Sequence, residues 1–308
     1  MWIEDTDAYG IVYHANYLRF IERAAHALLG RERCSAAFDE CAATLGLTRV
    51  EGVKYNHPAV LGDLLHVRLA TEGIDADCGT IRIAAAITRA EDGTPIWSCS
   101  QAELAFTIAG TGERAPWPLR ATHLADGSSC VELFNAPSPP PPPLAAPEEL
   151  PPTRFPLDVT VEADELPPTG QLSLLAALRY FERQRSQAIG GADKLKELQD
   201  SGTSVVVARM RFVALAGAAK DGLSSGKAPL CSSLTARCSV TLRARSTQVV
   251  FDQWLIGPAR SGKSGGGSAR PVLARAEVTC MCIDPASRKI VPASDHLRAL
   301  LVGGDVVT

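Results

Sequence analysis

The chain has 308 residues, a hydrophobic content of 46% and a formal net charge of −3. This length allows two domains of roughly 150 residues each, and the composition is that of an ordinary globular protein. The charge gives no basic excess for nucleic acid or for an anionic membrane surface. No apolar run approaches the roughly 18 residues of a membrane span.

Nine cysteines are scattered along the chain, and their odd number does not fit a disulfide framework. A reducing, cytoplasmic setting is therefore expected. Cys280 and Cys282 share one face of a strand-like run, but no second pair has zinc-ligand spacing, so no metal site is predicted. The chain starts close to its first motif, and an organellar location is expected instead if a targeting segment is missing.

The segment at residues 4–23, EDTDAYGIVYHANYLRFIER, combines an acidic strand end, a glycine turn and the start of an amphipathic helix. The helix is expected to begin near Tyr13 and His14. This start places the carboxylate of Asp7 beside a helix N-terminus, which has unpaired N–H groups and partial positive charge. Thioester hydrolysis needs both parts, a base or nucleophile and a donor to the developing oxyanion.

The string DTDAYGIVYHANYL at residues 5–18 resembles the active-site segment of hotdog proteins of the 4-hydroxybenzoyl-CoA thioesterase type. A second string, KYNHPAVLGD at residues 54–63, resembles a strand–turn–strand segment of the same family. Val60 stands where many relatives have arginine, so a role of that arginine in binding CoA does not carry over. The resemblance covers residues 2–115 well and residues 155–302 faintly.

The resemblance implies an acyl-CoA thioesterase that releases a free carboxylic acid and CoA. Asp7 is the implied catalytic residue, either as nucleophile on the thioester carbonyl or as base for an attacking water, and both roles stay open. The main-chain N–H of His14 is the implied oxyanion donor, and its side chain is expected to assist catalysis or position the acyl group.

The substrate-binding residues that carry over are Gly10, Tyr13, Asn16, Tyr17 and His57. Gly10 allows a sharp backbone turn, whereas His57 lies either in the pocket or in an exposed loop. No metal or redox cofactor is implied. The expected partner is an acyl-CoA substrate, or the same thioester on acyl carrier protein, and the acyl group itself stays open.

Both halves of the chain show one long helix followed by strands. In the first half, strand-like runs lie at residues 48–55, 64–72, 79–89 and 96–108. In the second half, a helical pattern from Leu174 to Ile189 precedes runs at residues 204–212, 233–243, 248–256 and 272–283. The pattern predicts an α+β fold of tandem hotdog domains, each a long helix wrapped by an antiparallel β-sheet.

The two halves form a weak repeat, because LRFIER at residues 18–23 and LRYFER at residues 178–183 match at an offset of 160. The same offset aligns Asp7 with Pro167 and His14 with Leu174. The second half therefore lacks both implied catalytic side chains.

We expect an N-terminal domain at residues 1–135, a proline-rich linker at residues 136–153 and a degenerate C-terminal domain at residues 154–308. The chain is expected to form an intramolecular pseudo-dimer in which the second half supplies one wall of the surviving site. A further homo-oligomer stays open.

Two other functions remain as alternatives. Since half of the chain is degenerate, the protein is alternatively a non-catalytic double hotdog that binds acyl-CoA, an acyl carrier or another partner. Residues 257–264, GPARSGKS, also satisfy the P-loop pattern. The glycine-rich residues 265–271 that follow do not favour the helix that a P-loop needs, and the insertions at residues 214–227 and 257–270 are predicted as loops.

Overall fold

Nine strands form one continuous antiparallel sheet in the part of the chain that the structure describes. The computed structural model describes residues 10–30, 34, 38–39, 42–75, 79–108, 114–115, 155–161, 172–215, 233–243, 245–258 and 270–302. The predicted linker at residues 136–153 lies outside these ranges.

Among the described residues, the first half has one helix followed by four strands. Their bounds are α1 Asn16–Leu29, β1 Ala43–Tyr55, β2 Leu65–Asp75, β3 Thr80–Arg89 and β4 Pro95–Ile108. All four predicted strands are present. The first of them begins five residues earlier than predicted, because the paired ladder with β4 extends back to Ala43 and Ile108.

The second half repeats this order with three added short elements. Its bounds are β5 Leu157–Thr160, α2 Leu174–Ile189, α3 Gly191–Asp200, β6 Ser204–Leu215, β7 Ser233–Thr241, β8 Gln248–Ile256, β9 Val272–Ile283 and α4 Asp295–Val302. The prediction of a loop from residue 214 onward is wrong at its start, because Ala214 and Leu215 pair with β9 as the end of β6.

Helix α1 packs through one apolar stripe, which includes Leu18, Ile21 and Ala25, each at most 3% exposed. Its carboxylate Glu22 accepts a hydrogen bond from the main-chain N–H of Leu47 at 3.0 Å, beside a bulge in β1. Burial raises the pKa of Glu22. This hydrogen bond connects α1 to β1.

The order of the strands in the sheet is β2-β3-β4-β1-β6-β9-β8-β7-β5. Strand β1 joins the two halves, because it pairs with β4 on one side and with β6 on the other. In the β1–β6 ladder Val53 faces Met210 and Lys54 faces Arg209. One hydrophobic core includes residues of helices α1 and α2 and of the strands of both halves. The sheet therefore brings the end of β1 next to the second half.

The P-loop pattern lies mostly outside the described residues. Its first residue, Gly257, donates its N–H to the carbonyl of Pro271 at 2.8 Å, and the flanking strands β8 and β9 are antiparallel partners. The next described element after the motif is therefore a strand of the same hairpin. Among the described helices, none is both long and apolar enough to cross a membrane.

Candidate active site

A short extended segment carries the chain into α1. The carbonyl of Gly10 accepts from Leu61 N–H at 2.9 Å, and Val12 N–H donates to the carbonyl of Ala59 at 2.9 Å. Gly10 has a φ of +68°, a conformation that favours glycine. These two hydrogen bonds hold residues 10–12 against the turn after β1 and so position the start of α1. Asp7 lies outside the described residues, so its role remains a prediction.

His14 lies in the turn before the helix. The N–H of Asn16 donates to the carbonyl of Tyr13 at 2.8 Å, and α1 begins at Asn16 rather than near Tyr13 and His14 as predicted. The N-cap residue, Ala15, provides no side-chain cap. The main-chain N–H of His14 donates to none of the described residues. Among the described residues, this donor before the helix is therefore unused.

The N-terminus of α2 is capped by a side chain. Its N-cap residue, Ser173, accepts a hydrogen bond from the N–H of Ala176 at 3.0 Å. At the offset of 160 residues, Ser173 corresponds to Tyr13. The N-cap residue of α1 is instead Ala15, whose side chain has no acceptor. The two repeats thus differ in whether a side chain satisfies the helix N-terminus.

The imidazole of His14 meets a cation from the second half. Nη2 of Arg185 on α2 lies 3.3 Å from Nε2 of His14. Because a guanidinium only donates, Nε2 is the acceptor in this contact. Burial first, and the positive charge of Arg185 second, hold the pKa of His14 well below its ordinary value. The ring is therefore neutral at neutral pH.

Arg185 is held by a buried amide network. Its Nη1 donates to Oε1 of Gln253 at 2.7 Å. Nε2 of Gln253 donates to Oε1 of Gln184 at 2.6 Å and to the carbonyl of Phe181 at 2.8 Å. Both glutamines are fully buried, and Arg185 is 5% exposed. A further bond from Gln184 to the carbonyl of Phe155, at 2.9 Å, completes the chain of contacts.

Tyr55, the last residue of β1, fixes the backbone of His14. Its hydroxyl donates to the carbonyl of His14 at 3.0 Å, and the two rings meet edge to face at 6.3 Å. Burial is the main cause that raises the pKa of Tyr55. The phenol therefore stays protonated and remains a donor throughout the physiological range.

The predicted residues at the start of α1 differ in their surroundings. Tyr17 is buried, its hydroxyl accepts from Ala59 N–H at 3.2 Å, and its ring stacks on Trp97 at 6.3 Å. Asn16 is 4% exposed. The ring of Tyr13 lies 4.6 Å from that of His14, and its buried hydroxyl has no hydrogen-bond partner among the described residues.

His57 lies apart from this group. It is exposed, and its Nδ1 donates to the carbonyl of Pro95 at 2.9 Å. Among the described contacts, none joins His57 to His14. The described residues contain no group of three or more His, Cys, Asp or Glu side chains placed to hold a metal ion.

Sequence reasoning missed Arg185, Gln253 and the role of Tyr55. A signal for Arg185 exists in the helical spacing of α2, because it follows the buried Leu178 and Phe181 on the same stripe. A charged residue on the apolar stripe of a helix indicates a buried polar contact. Its partner, 171 positions earlier in the chain, has no signal in the sequence.

Comparison with known proteins finds relatives of part of the chain. Residues 1–134 match the thioesterase-like superfamily. The acyl-CoA thioester hydrolase YbgC of Escherichia coli is 37% identical over 68 residues, which are 22% of this chain and 51% of that protein. The acyl-CoA thioesterase YbgC of Helicobacter pylori is 34% identical over 70 residues, 22% of this chain and 49% of that one. The chain spans about half the length of these curated relatives.

Among the solved structures that resemble this chain, two align over about nine tenths of it. An acyl-ACP thioesterase from Bacteroides thetaiotaomicron aligns with a TM-score of 0.55 and 14% identity, over 90% of this chain and 93% of that one. The 12:0-ACP thioesterase from Umbellularia californica aligns with a TM-score of 0.57 and 12% identity, over 92% and 91%. At these identities the likeness shows the fold alone. It confirms the predicted α+β fold of tandem hotdog units.

Proposed function

We propose that this chain, whose residues 1–134 match the thioesterase-like superfamily, hydrolyses the thioester of an acyl-CoA to a free carboxylic acid and CoA. The names of the curated relatives that match 22% of the chain support this activity. The observation that carries the proposal is the N-terminus of α1, which has no side-chain cap and where His14 N–H donates to none of the described residues.

In the proposed reaction the main-chain N–H of His14 donates to the thioester oxygen as negative charge develops on it. Removal of one such donor typically costs about 100-fold to 1000-fold in rate. The partial positive charge of the helix end adds to this stabilisation. The capped end of α2, where Ser173 already accepts from Ala176, offers less of this donor capacity, which supports a site in the first half.

Asp7 acts in one of two ways. As nucleophile, its carboxylate attacks the carbonyl carbon, the C–S bond breaks, CoA leaves as a thiolate that takes a proton, and water then cleaves the acyl-aspartyl anhydride. As general base, it removes a proton from the water that attacks the carbonyl directly. Both routes yield one carboxylic acid and one CoA.

The remaining motif residues shape the site in this proposal. Gly10 brings the backbone close to the acyl group, and Tyr13 offers a buried hydroxyl without a described partner. Asn16 and Tyr17 form the wall at the start of α1. His57, in the exposed loop after β1, contacts the outer part of the bound substrate in this proposal.

The test is the replacement of Asp7 by Asn, which keeps the size of the side chain and removes its charge. We expect acyl-CoA turnover, measured as release of free thiol from a panel of acyl-CoA and acyl carrier protein thioesters, to fall by about 100-fold to 10,000-fold. Asp5→Asn in the same motif is the matched control and should lose far less activity.

Circular dichroism and thermal unfolding of both variants exclude loss of fold as the cause. Unchanged turnover in Asp7→Asn would refute the assignment. Binding of acyl-CoA by the wild type without any turnover would favour the non-catalytic double hotdog.

A further inference from the structure

Arg185 is a buried cation that the proposed reaction does not yet use. Its described contacts are two neutral acceptors, Oε1 of Gln253 at 2.7 Å and Nε2 of His14 at 3.3 Å. No carboxylate is among them. A buried charge without an ionic partner is costly to keep in a fold. We therefore expect Arg185 to have a role that depends on its contact with His14.

The contact with His14 determines where the imidazole carries its proton. A guanidinium has donors only and stays charged, so Nε2 of His14 must accept and the single ring proton resides on Nδ1. Protonation of Nε2 would remove the acceptor and place two positive charges side by side. One neutral tautomer is therefore favoured over the other and over the imidazolium.

The other groups that face His14 do not compete with this effect. Tyr55 from β1 presents a hydroxyl whose raised pKa keeps it neutral, and Tyr13 from the preceding turn presents its ring. Cys280 from β9, which lies within electrostatic range of Tyr55 and Arg185, has its pKa raised by burial to about 11. Among these described groups, Arg185 is the charged one that acts on His14.

The guanidinium itself has little freedom to move. Gln253 is fixed by the carbonyl of Phe181 and by Gln184, and Gln184 is fixed by the carbonyl of Phe155. These contacts join α2, β8 and the segment before β5. The donor that meets His14 is thus held by buried bonds within the second half.

We infer that Arg185 is a positioning residue supplied by the degenerate half, which holds the ring of His14 in one orientation and one neutral tautomer. This role rests on the proposed thioesterase activity of the first half. The inference assigns a function to the second half, which lacks the motif carboxylate, because that half supplies the guanidinium that contacts His14.

The direct test measures the ring of His14 and does not need turnover. In the full-length ¹⁵N-labelled chain, long-range ¹H–¹⁵N spectra report the tautomer and titration of each histidine, and loss of one set of signals in His14→Gln assigns His14. The wild type should show the proton on Nδ1 alone. In Arg185→Met we expect two tautomers in exchange and a titration that moves part of the way toward 6.5, because burial remains.

Arg183→Met is the matched control, since this arginine lies exposed on the same helix, and its His14 signals should equal those of the wild type. An unchanged tautomer and titration in Arg185→Met overturns the inference. If Arg185→Met does not fold, Gln253→Leu removes the acceptor that orients Arg185 and keeps the cation. Spectra identical to the wild type would then overturn it, and mixed tautomers would support it.

Kinetics provide a second readout. In Arg185→Met we expect kcat to fall by about ten-fold or more with a smaller change in KM, because a misoriented catalytic group lowers the rate more than binding. Arg185→Lys keeps the charge and one donor, and partial rescue is expected. If the wild type hydrolyses no acyl-CoA, the proposed function fails, whereas the spectra of His14 still decide the inference.

Discussion

The hydroxyl of Tyr17 offers a sharp test of how the motif segment is held. It accepts a hydrogen bond at 3.2 Å from the N–H of Ala59, a residue with no exposed surface. The carbonyl of the same Ala59 holds Val12, so this one residue connects α1, the turn after β1 and the segment that leads to His14. Tyr17→Phe removes the acceptor and leaves the ring in place.

The expected magnitude follows from the group that is left behind. A buried N–H that loses its acceptor costs about 1–3 kcal/mol, whereas the stacking of the ring on Trp97 is retained. With a urea m value of about 2–3 kcal/mol/M, this loss lowers the unfolding midpoint by roughly 0.3–1.5 M. Thioester turnover should fall as well, because the backbone segment that leads to His14 is held less firmly.

Tyr13→Phe is the matched control, because it deletes a buried hydroxyl that has no partner among the described residues. Its free energy of unfolding should be unchanged or slightly higher, since nothing is left unsatisfied. If Tyr13 binds substrate as proposed, its variant raises KM instead. Equal stability of Tyr17→Phe and Tyr13→Phe in urea titrations would refute this reasoning.

Two further predictions concern the helix ends and pH. Ser173→Ala should lower the free energy of unfolding by about 1 kcal/mol through loss of the α2 cap, with unchanged thioester turnover, as measured by urea titration and thiol release. Because the pKa of His14 is lowered in the folded state, the unfolded chain binds more protons as pH falls below 6.5, and the wild type loses stability there relative to His14→Gln. The loss is at most about 1.4 kcal/mol per pH unit, and parallel stability curves of the two proteins in urea between about pH 7.5 and 5.5 would contradict it.

The strands could be predicted from the sequence because their burial alternates. β8 and β9 have the predicted bounds, residues 248–256 and 272–283, since alternating apolar residues end at clear glycine or polar breaks. β5 was missed because four residues carry too little pattern. The start of α1 was placed too early, because the turn closed by Asn16 N–H and the carbonyl of Tyr13 is a local bond that composition does not reveal.

The candidate site could be predicted only as far as its local motif. Gly10, Tyr13 and His14 lie in one continuous string, and the structure places them in the short segment that leads into α1. Arg185 reaches His14 only because β1 pairs with β6 and α2 packs next to α1. Such a contact depends on the assembly of both halves, so no spacing in the sequence announces it.

The most direct measurement for the proposed activity is a crystal structure of the full chain with a non-cleavable acyl-CoA analogue in which a ketone replaces the thioester. We predict that the ketone oxygen lies about 3 Å from the main-chain nitrogen of His14, with the carboxylate of Asp7 next to the carbonyl carbon. An analogue bound away from the N-terminus of α1, or with Asp7 turned away from its carbonyl, would contradict the hydrolase assignment.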